Sequence, residues 1–334
     1  MKKKLVLVTG AGGFIGSNLT EELLRRGYRV RALLKDAEST KNISALIDNK
    51  NIEIIRGNLL SKETLRKAVS GVEVVFHLAA KADLSAKSYR PYFLNNVIGT
   101  KNITEACRGK VKKFVHFSSI LAVGLPNIKT RLDENYEGKP QHFYGVSKKE
   151  TEKFLMREYK DDNFPVVILR PSTVYGPREF AVQYLLFRVI KEGKFVMVGS
   201  GNNLTSYVYV KNVVDATLKV ANSSKTSGQI YFINDERPYK FKEVVEAIYR
   251  AVGKKPYPIK IPFWLAYAGS FIYAKICKLL GMKPLIYPSR VKTMILDYAY
   301  SIKKAKRDFG YKPRYDLNDG VKETYKWYLD NGYI

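Results

Sequence analysis

The stretch Thr9-Gly10-Ala11-Gly12-Gly13-Phe14-Ile15-Gly16 constrains this chain more than any other part of it. It follows the apolar run Leu5–Thr9, which reads as a buried strand, and it opens a helical pattern over residues 16–26 that ends near Gly27. Glycines at 10, 13 and 16 let the backbone turn tightly, approach a pyrophosphate and pack the helix close to the sheet. The helix N-terminus then offers unpaired N–H groups and the positive end of its dipole to an anion. Alone, a glycine motif is a weak signal. Between a strand and a helix it has the context a dinucleotide cradle needs. Gly10, Gly12, Gly13, Phe14, Ile15 and Gly16 are assigned to that cradle.

The pattern downstream repeats the unit. Further strands are predicted over Arg29–Leu34, Ile52–Ile55, Val72–Leu78, Phe114–Ser118 and Val166–Arg170, with helices over 61–70 and 92–108. Strands alternating with helices predict an α/β fold: a Rossmann-type, doubly wound parallel sheet. Near-continuous apolar runs such as Val72–Leu78 suit strands covered on both faces. The second half is less regular. It shows helical patterns near 180–192, 210–222 and 318–331 and a turn at Gly199-Ser200-Gly201. For 334 residues the size prior is about two domains. We expect a dinucleotide-binding domain over 1–175, with returning elements near 205–235, and a smaller α/β substrate-binding region over 176–334.

Charge and cysteines bound the setting. The chain carries 58 basic and 31 acidic side chains, net +27. The excess is spread over both halves, so it forms no basic tail. Such a field attracts anionic partners, or else serves solubility, and charge by itself does not decide. No nucleic-acid-binding motif accompanies it, and no specific nucleic-acid partner is expected. Cys107 and Cys277 cannot build a disulfide framework, and no Cys/His spacing resembles a zinc site, so no metal is expected. Both cysteines read as packing residues. A reducing, cytoplasmic compartment is the default.

The end of the second strand normally reads the adenosine ribose: an acid there suits NAD, a basic residue suits the 2′-phosphate of NADP. Here the segment is Val30-Arg31-Ala32-Leu33-Leu34-Lys35-Asp36. Leu34 holds the acid's position, and NADP(H) is favoured over NAD(H), with Lys35 as its contact and Arg31 and Lys41 as helpers. A small shift of register would instead make Asp36 the ribose acceptor.

Tyr144-Gly145-Val146-Ser147-Lys148 places a tyrosine and a lysine on one helical face. A nearby ammonium favours phenolate, so Lys148 is expected to lower the Tyr144 pKa and make it a proton donor and acceptor. Its partner should be a hydroxyl at a strand end. Ser118-Ser119 follows the strand that begins at Phe114, with Ser119 25 residues upstream of Tyr144.

With these residues the chain resembles the extended short-chain dehydrogenase/reductases, in the NAD(P)-dependent epimerase/dehydratase branch. The likeness runs through Thr9–Gly16, His77-Leu78-Ala79-Ala80, Asn96-Val97-Ile98-Gly99-Thr100, Ser118-Ser119, Tyr144–Lys148, Arg170-Pro171, Val174-Tyr175-Gly176-Pro177 and Phe309-Gly310-Tyr311-Lys312-Pro313. The resemblance implies that Ser119 polarises the substrate oxygen. It makes Tyr144 the general acid/base, and Lys148 the residue that tunes Tyr144 and holds the nicotinamide ribose. It places Leu78, Ala79, Ala80, Asn96 and Pro171 around the cofactor, with Asn96 also the family's structural asparagine. Asn58-Leu59 stands where the family usually has an Asp contacting adenine, and the amide oxygen can accept in its place. His77 and His116, in predicted strands, read as structural; His142 lies near Tyr144. A homodimer is implied by resemblance alone.

Sugar-nucleotide members carry an arginine after the Gly-rich turn to clamp the diphosphate. Here Thr205 holds that place, and Arg178 or another basic residue could substitute. Tyr207–Asn212 and the apolar segment 262–281 resemble instead the 3β-hydroxysteroid dehydrogenase-like subgroup. That implies interconversion of a secondary alcohol and ketone on a hydrophobic, steroid-, lipid- or flavonoid-like small molecule. The alternative is a nucleotide-sugar 4-epimerase or dehydratase. Segment 262–281 approaches a membrane span in length, but Lys275 and Lys278 interrupt it. It reads either as a helix over the substrate cleft or as a peripheral membrane contact.

Overall fold

The computed structural model describes residues 4–35, 38–83, 86–256, 259–282, 284 and 287–334. Seven parallel strands form the central sheet: β1 (Leu5–Thr9), β2 (Arg29–Leu34), β3 (Ile52–Arg56), β4 (Val74–His77), β5 (Lys113–Phe117), β6 (Val166–Pro171) and β7 (Gln229–Ile233). Their order is β3-β2-β1-β4-β5-β6-β7. This is the expected doubly wound arrangement. β7 is the strand returning from the second half.

The alternation of β1 explains why both faces are covered. Val6 and Val8 enter one core with Leu19 and Leu23 of helix α1 (Phe14–Arg25) and with Val213 and Ala216 of the helix Val210–Asn222. Leu7 points the other way, into a core with Leu65, Ile103 and Leu155, and all three β1 residues are fully buried. β3 is half-exposed along its length, as an edge strand tolerates. Strand order reverses between β1 and β4, the switch point at which sheets of this kind bind ligands, outside the carboxyl ends of the strands.

The second half builds a smaller region around a tyrosine-rich core that includes Tyr175, Tyr207, Tyr209, Tyr239 and Tyr328. A four-stranded sheet orders Tyr239–Lys240, Leu204–Thr205, Tyr298–Tyr300 and Ile128–Leu132, and the helices Val182–Lys191, Phe241–Val252 and Leu317–Asp330 contribute to the tyrosine-rich core. Two features depart from the sequence pattern. The helix expected over 92–108 contains a π-helical turn at Phe93–Ile98 before Gly99–Cys107. The strand Ile128–Leu132 has no apolar alternation and is almost wholly exposed; its pairing with Tyr298–Tyr300 makes it a strand.

Candidate active site

The glycine loop is clasped to the loop after β4. Gly10 has φ +70°, and its N–H donates to the Leu33 carbonyl at 3.3 Å. A Cβ on Gly10 would lie 2.8 Å from the Ala79 nitrogen, and one on Gly16 would lie 2.1 Å from the Gly10 oxygen. Neither approach tolerates a side chain. Ala79 donates its N–H to the Thr9 hydroxyl, and Leu78 to the Thr9 carbonyl, both at 3.2 Å. The buried His77 ring bridges the Thr9 and Thr100 hydroxyls at 2.8 and 3.0 Å. This brings Leu78, Ala79 and Ala80 beside the cradle. Helix α1 starts at Phe14 after Gly13 with no side-chain cap, so its first N–H groups are left for an outside acceptor. Asn42 closes the loop's far side by donating to the Gly12 carbonyl at 2.9 Å. An uncapped helix start against a backbone without Cβ atoms fits a dinucleotide pyrophosphate.

At the adenosine end, Leu34 is buried and Lys35 exposed; Asp36 lies outside the described residues. Arg31 is corrected as a phosphate helper. Its guanidinium donates to Glu53 at 2.9 Å and to the carbonyls of Lys67, Ala68 and Ser70, which commits it to the end of the helix Lys62–Val69. Strand alternation turns it away from the loop. Lys41 sits with its Nζ 5.7 Å from the Phe180 ring and 5.5 Å from that of Tyr333. Asn58 is exposed; its Oδ1 accepts from the Leu60 N–H at 2.8 Å, a local turn that leaves the oxygen one further lone pair. Leu59 is buried, and its carbonyl accepts from Asn102.

Helix α2 (Phe143–Asp162) starts one residue before Tyr144 and sets Lys148 one turn later. Ser119 caps the short turn after β5, its hydroxyl accepting from the Leu121 N–H at 3.1 Å and lying near enough to the Tyr144 phenol to act on its titration. A Cβ on Gly145 would meet the Leu121 oxygen at 2.2 Å, and this close approach is what brings tyrosine and serine together. Ser118, one residue earlier, is buried with its hydroxyl unpartnered among the described residues. Lys148 is buried, 5.8 Å from the Tyr144 ring centroid, and donates to the Phe117 carbonyl at 2.6 Å.

The electrostatics correct one expectation. Loss of water, and not Lys148, dominates the Tyr144 phenol and pushes it above its ordinary range, with the Ser119 hydroxyl pulling back. The same desolvation lowers Lys148 to about 8, against an opposing pull from Glu152. A lysine that pays its own burial cost has less charge to lend a neighbour. Burial likewise lowers His77 to about 3 and keeps His116 well below its ordinary value, which suits structural histidines. His142, half-buried, precedes α2 without a side-chain cap bond. Cys107 and Cys277 are both buried, and burial raises the Cys107 thiol to about 12.

Asn96 lies in the π-helical turn, and both ends of its side chain are engaged. Its Oδ1 accepts from the Lys81 N–H at 2.7 Å; its Nδ2 donates to the Lys81 carbonyl at 3.1 Å and to Ser147 at 2.8 Å. Ser147 in turn donates to the Tyr144 carbonyl at 2.7 Å. Asn96 thereby serves the frame, as the resemblance implied: it ties the loop after β4 to the turn that carries Tyr144. A second tie escaped the sequence reading. Glu152, one turn past Lys148, accepts two bonds from Arg170 of β6, at 2.8 and 2.7 Å, and both are buried. A glutamate at i+4 from the lysine was the available signal. Pro171, next to Arg170, is buried opposite Ile233 of β7.

On the other side of the cleft Thr205 is buried and donates to the Tyr239 carbonyl at 3.1 Å. Arg178 donates one guanidinium nitrogen to Glu21 of α1 at 2.7 Å, while its Nη1 is buried with no partner among the described residues. Segment 262–281 folds as helix α3 (Phe263–Leu279). Among the described residues no helix is long and apolar enough to cross a membrane.

Comparison with known proteins agrees with this geometry. The profile of the NAD dependent epimerase/dehydratase family matches residues 6–233. The chain is 29% identical to the mouse (Mus musculus) sterol-4-alpha-carboxylate 3-dehydrogenase, decarboxylating, over 97% of this chain and 90% of that one. It is also 29% identical to the 3-beta-hydroxysteroid dehydrogenase of Mycolicibacterium neoaurum, over 97% and 91%. Among solved structures, UDP-glucuronic acid 4-epimerase from Bacillus cereus in complex with NAD superposes with a TM-score of 0.80. That match has 26% identity and covers 99% of this chain and all of the other.

The buried lysine makes stability depend on pH in a stated direction. An unfolded lysine titrates near 10.4, so between about 8 and 10 the folded chain holds this proton less tightly than the unfolded one. Stability conferred at Lys148 therefore rises with pH across that window, by at most about 1.4 kcal/mol per pH unit. Urea unfolding at stepped pH is expected to show this rise for the wild type relative to Lys148→Met. Parallel pH profiles for the two proteins would contradict it.

Proposed function

The chain belongs to the NAD-dependent epimerase/dehydratase family, and from that premise we propose that it is an NAD(P)-dependent oxidoreductase interconverting a secondary alcohol and a ketone on a hydrophobic small molecule. The observation that carries this reading is the nearness of the Ser119 and Tyr144 hydroxyls beside buried Lys148 at the strand ends, next to the glycine cradle. Bound NAD(P) supplies the nicotinamide that accepts or returns hydride. The Tyr144 hydroxyl gives or takes the proton at the substrate oxygen, and its raised pKa keeps it a donor at neutral pH, as ketone reduction needs. Ser119 donates to the same oxygen as negative charge develops there. Lys148, held by the Phe117 carbonyl, sets a positive charge beside the phenol and within reach of a cofactor ribose.

The hydrophobic substrate is supported by Thr205, buried and hydrogen-bonded where a diphosphate clamp would need a free guanidinium, and by the steroid and sterol substrates in the names of the two relatives. The alternative, a nucleotide-sugar 4-epimerase or dehydratase working through the same hydride transfer, is supported by the superposition on the B. cereus epimerase. Preference for NADP(H) rests on exposed Lys35 following buried Leu34. Residues 1–175 with the strands returning near 205–235 would hold the cofactor, and 176–334 the substrate. The reading is completed by a cytoplasmic homodimer.

Tyr144→Phe is expected to lower turnover by about 10²–10⁴-fold in a screen of sterol and flavonoid-type alcohols and ketones, followed by cofactor absorbance. Cofactor-induced thermal stabilisation should survive. Activity within tenfold of wild type would refute the role given to Tyr144. Lys35→Glu should shift the ratio of kcat/KM for NADPH over NADH by about tenfold or more towards NADH, the scale of one charge-assisted bond. An unchanged ratio would remove Lys35 from the cofactor site.

A further inference from the structure

Helix α3 is built inside out. The residues turned to the protein are Phe263, Ala266, Ser270, Ala274 and Cys277, a narrow seam of mostly small side chains at 3- and 4-residue spacing. The large apolar residues turn outward: Trp264 is 68% exposed, Phe271 51%, Ile272 59%, Ile276 48% and Leu279 86%. Leu280 and Met282 extend the patch beyond the helix end. A surface helix of a globular protein does the reverse and buries its apolar stripe. A contiguous outward patch of this kind marks a partner.

The charges around the patch identify the partner. Between Glu246 and Asp297 the chain has nine basic residues and no acidic one. Lys260, Lys275, Lys278, Arg290 and Lys292 are exposed around α3 or on the segments flanking it. A second copy seated on this face would bring two unbalanced positive fields together, which opposes self-association. We propose that α3 and its basic surround dock the protein on an anionic phospholipid bilayer, with the helix lying in the plane of the interface. Seventeen residues span about 25 Å, short of a hydrocarbon core of about 30 Å. Trp264, Tyr267 and Tyr273 are side chains that favour the interfacial region. Lys275, whose Nζ lies 5.1 Å from the Phe271 ring, and Lys278 reach headgroups while their stems stay among the apolar residues. Apolar insertion and attraction to anionic lipid then act together. Only the purpose of docking, drawing a lipophilic substrate from the bilayer, rests on the proposed function.

The test uses the full chain carrying Trp327→Phe, which leaves Trp264 as its single tryptophan. Vesicles of phosphatidylcholine alone are compared with vesicles also containing phosphatidylglycerol. Co-sedimentation and a blue shift of Trp264 emission are expected only with phosphatidylglycerol, weakened at least about tenfold when ionic strength is raised towards 1 M. A chain with Phe271→Ser, Ile272→Ser and Ile276→Ser should lose vesicle binding while keeping its Tm and its stabilisation by NADP+. Failure to bind the anionic vesicles would overturn the proposal, as would undiminished binding by the triple variant. So would light scattering showing that the triple variant turns a dimer into a monomer, since a second copy would then own the face. Vesicle binding without any alcohol or ketone turnover would refute the proposed function and leave the docking surface standing.

Discussion

The close approach of two backbones at the switch point, Gly10 against Ala79, is the constraint on which the cleft depends. It is possible only because position 10 lacks a Cβ. It is fixed by Thr9, whose hydroxyl and carbonyl receive the N–H groups of Ala79 and Leu78 and whose hydroxyl also meets the His77 ring. From this clasp the structure extends in two directions. On one side α1 begins uncapped and close to the sheet, ready for an anion. On the other, the loop after β4 continues to Lys81, which Asn96 grips through both its N–H and its carbonyl. Asn96 then passes the geometry to Ser147 and so to the turn bearing Tyr144. The dinucleotide cradle and the Tyr144 hydroxyl are thereby parts of one hydrogen-bonded frame.

Inside that frame desolvation decides the chemistry. Lys148 has lost its water, is held by a single carbonyl, and has its charge partly sustained by Glu152 one turn away. Glu152 is in turn neutralised by the two-pronged bond from Arg170. Removing one partner from a buried pair of this kind costs about 3–5 kcal/mol, so the pair is as much a structural rivet between α2 and β6 as an electrostatic one. Tyr144 stays protonated in the free protein because the same dry surroundings penalise its anion.

What the sequence made legible follows from periodicity. β1, β2 and the helix Val210–Asn222 bury apolar residues at regular spacing, and their limits were read almost to the residue. Ile128–Leu132 was not legible, because it buries no apolar face and owes its form to a neighbour about 170 positions away. In the candidate site, Tyr144, Lys148 and Ser119 were proposed by type and spacing; the structure sets Lys148 5.8 Å from the Tyr144 ring centroid and Ser119 at the end of β5. Spacing could not show burial, and so the direction of the Tyr144 shift was misread. Nor could it show orientation: Arg31 looked available beside the loop, yet strand alternation sends it to the end of the helix Lys62–Val69. Asn96 was found by its motif, but its work is visible only through its partners.

The residues that would distinguish a sugar nucleotide from an apolar ketone are expected on the second half of the chain, where Thr205 stands buried at the clamp position and Arg178 is tied to Glu21 through one guanidinium nitrogen. Thermal unfolding of the NADP+-loaded protein with and without UDP tests this most directly, since a ligand bound only by the native state raises stability by RT ln(1 + [L]/Kd). NADP+ is predicted to raise the Tm and UDP to add nothing to it. A further, UDP-dependent rise would contradict the hydrophobic-substrate reading and identify a nucleotide-sugar epimerase or dehydratase instead.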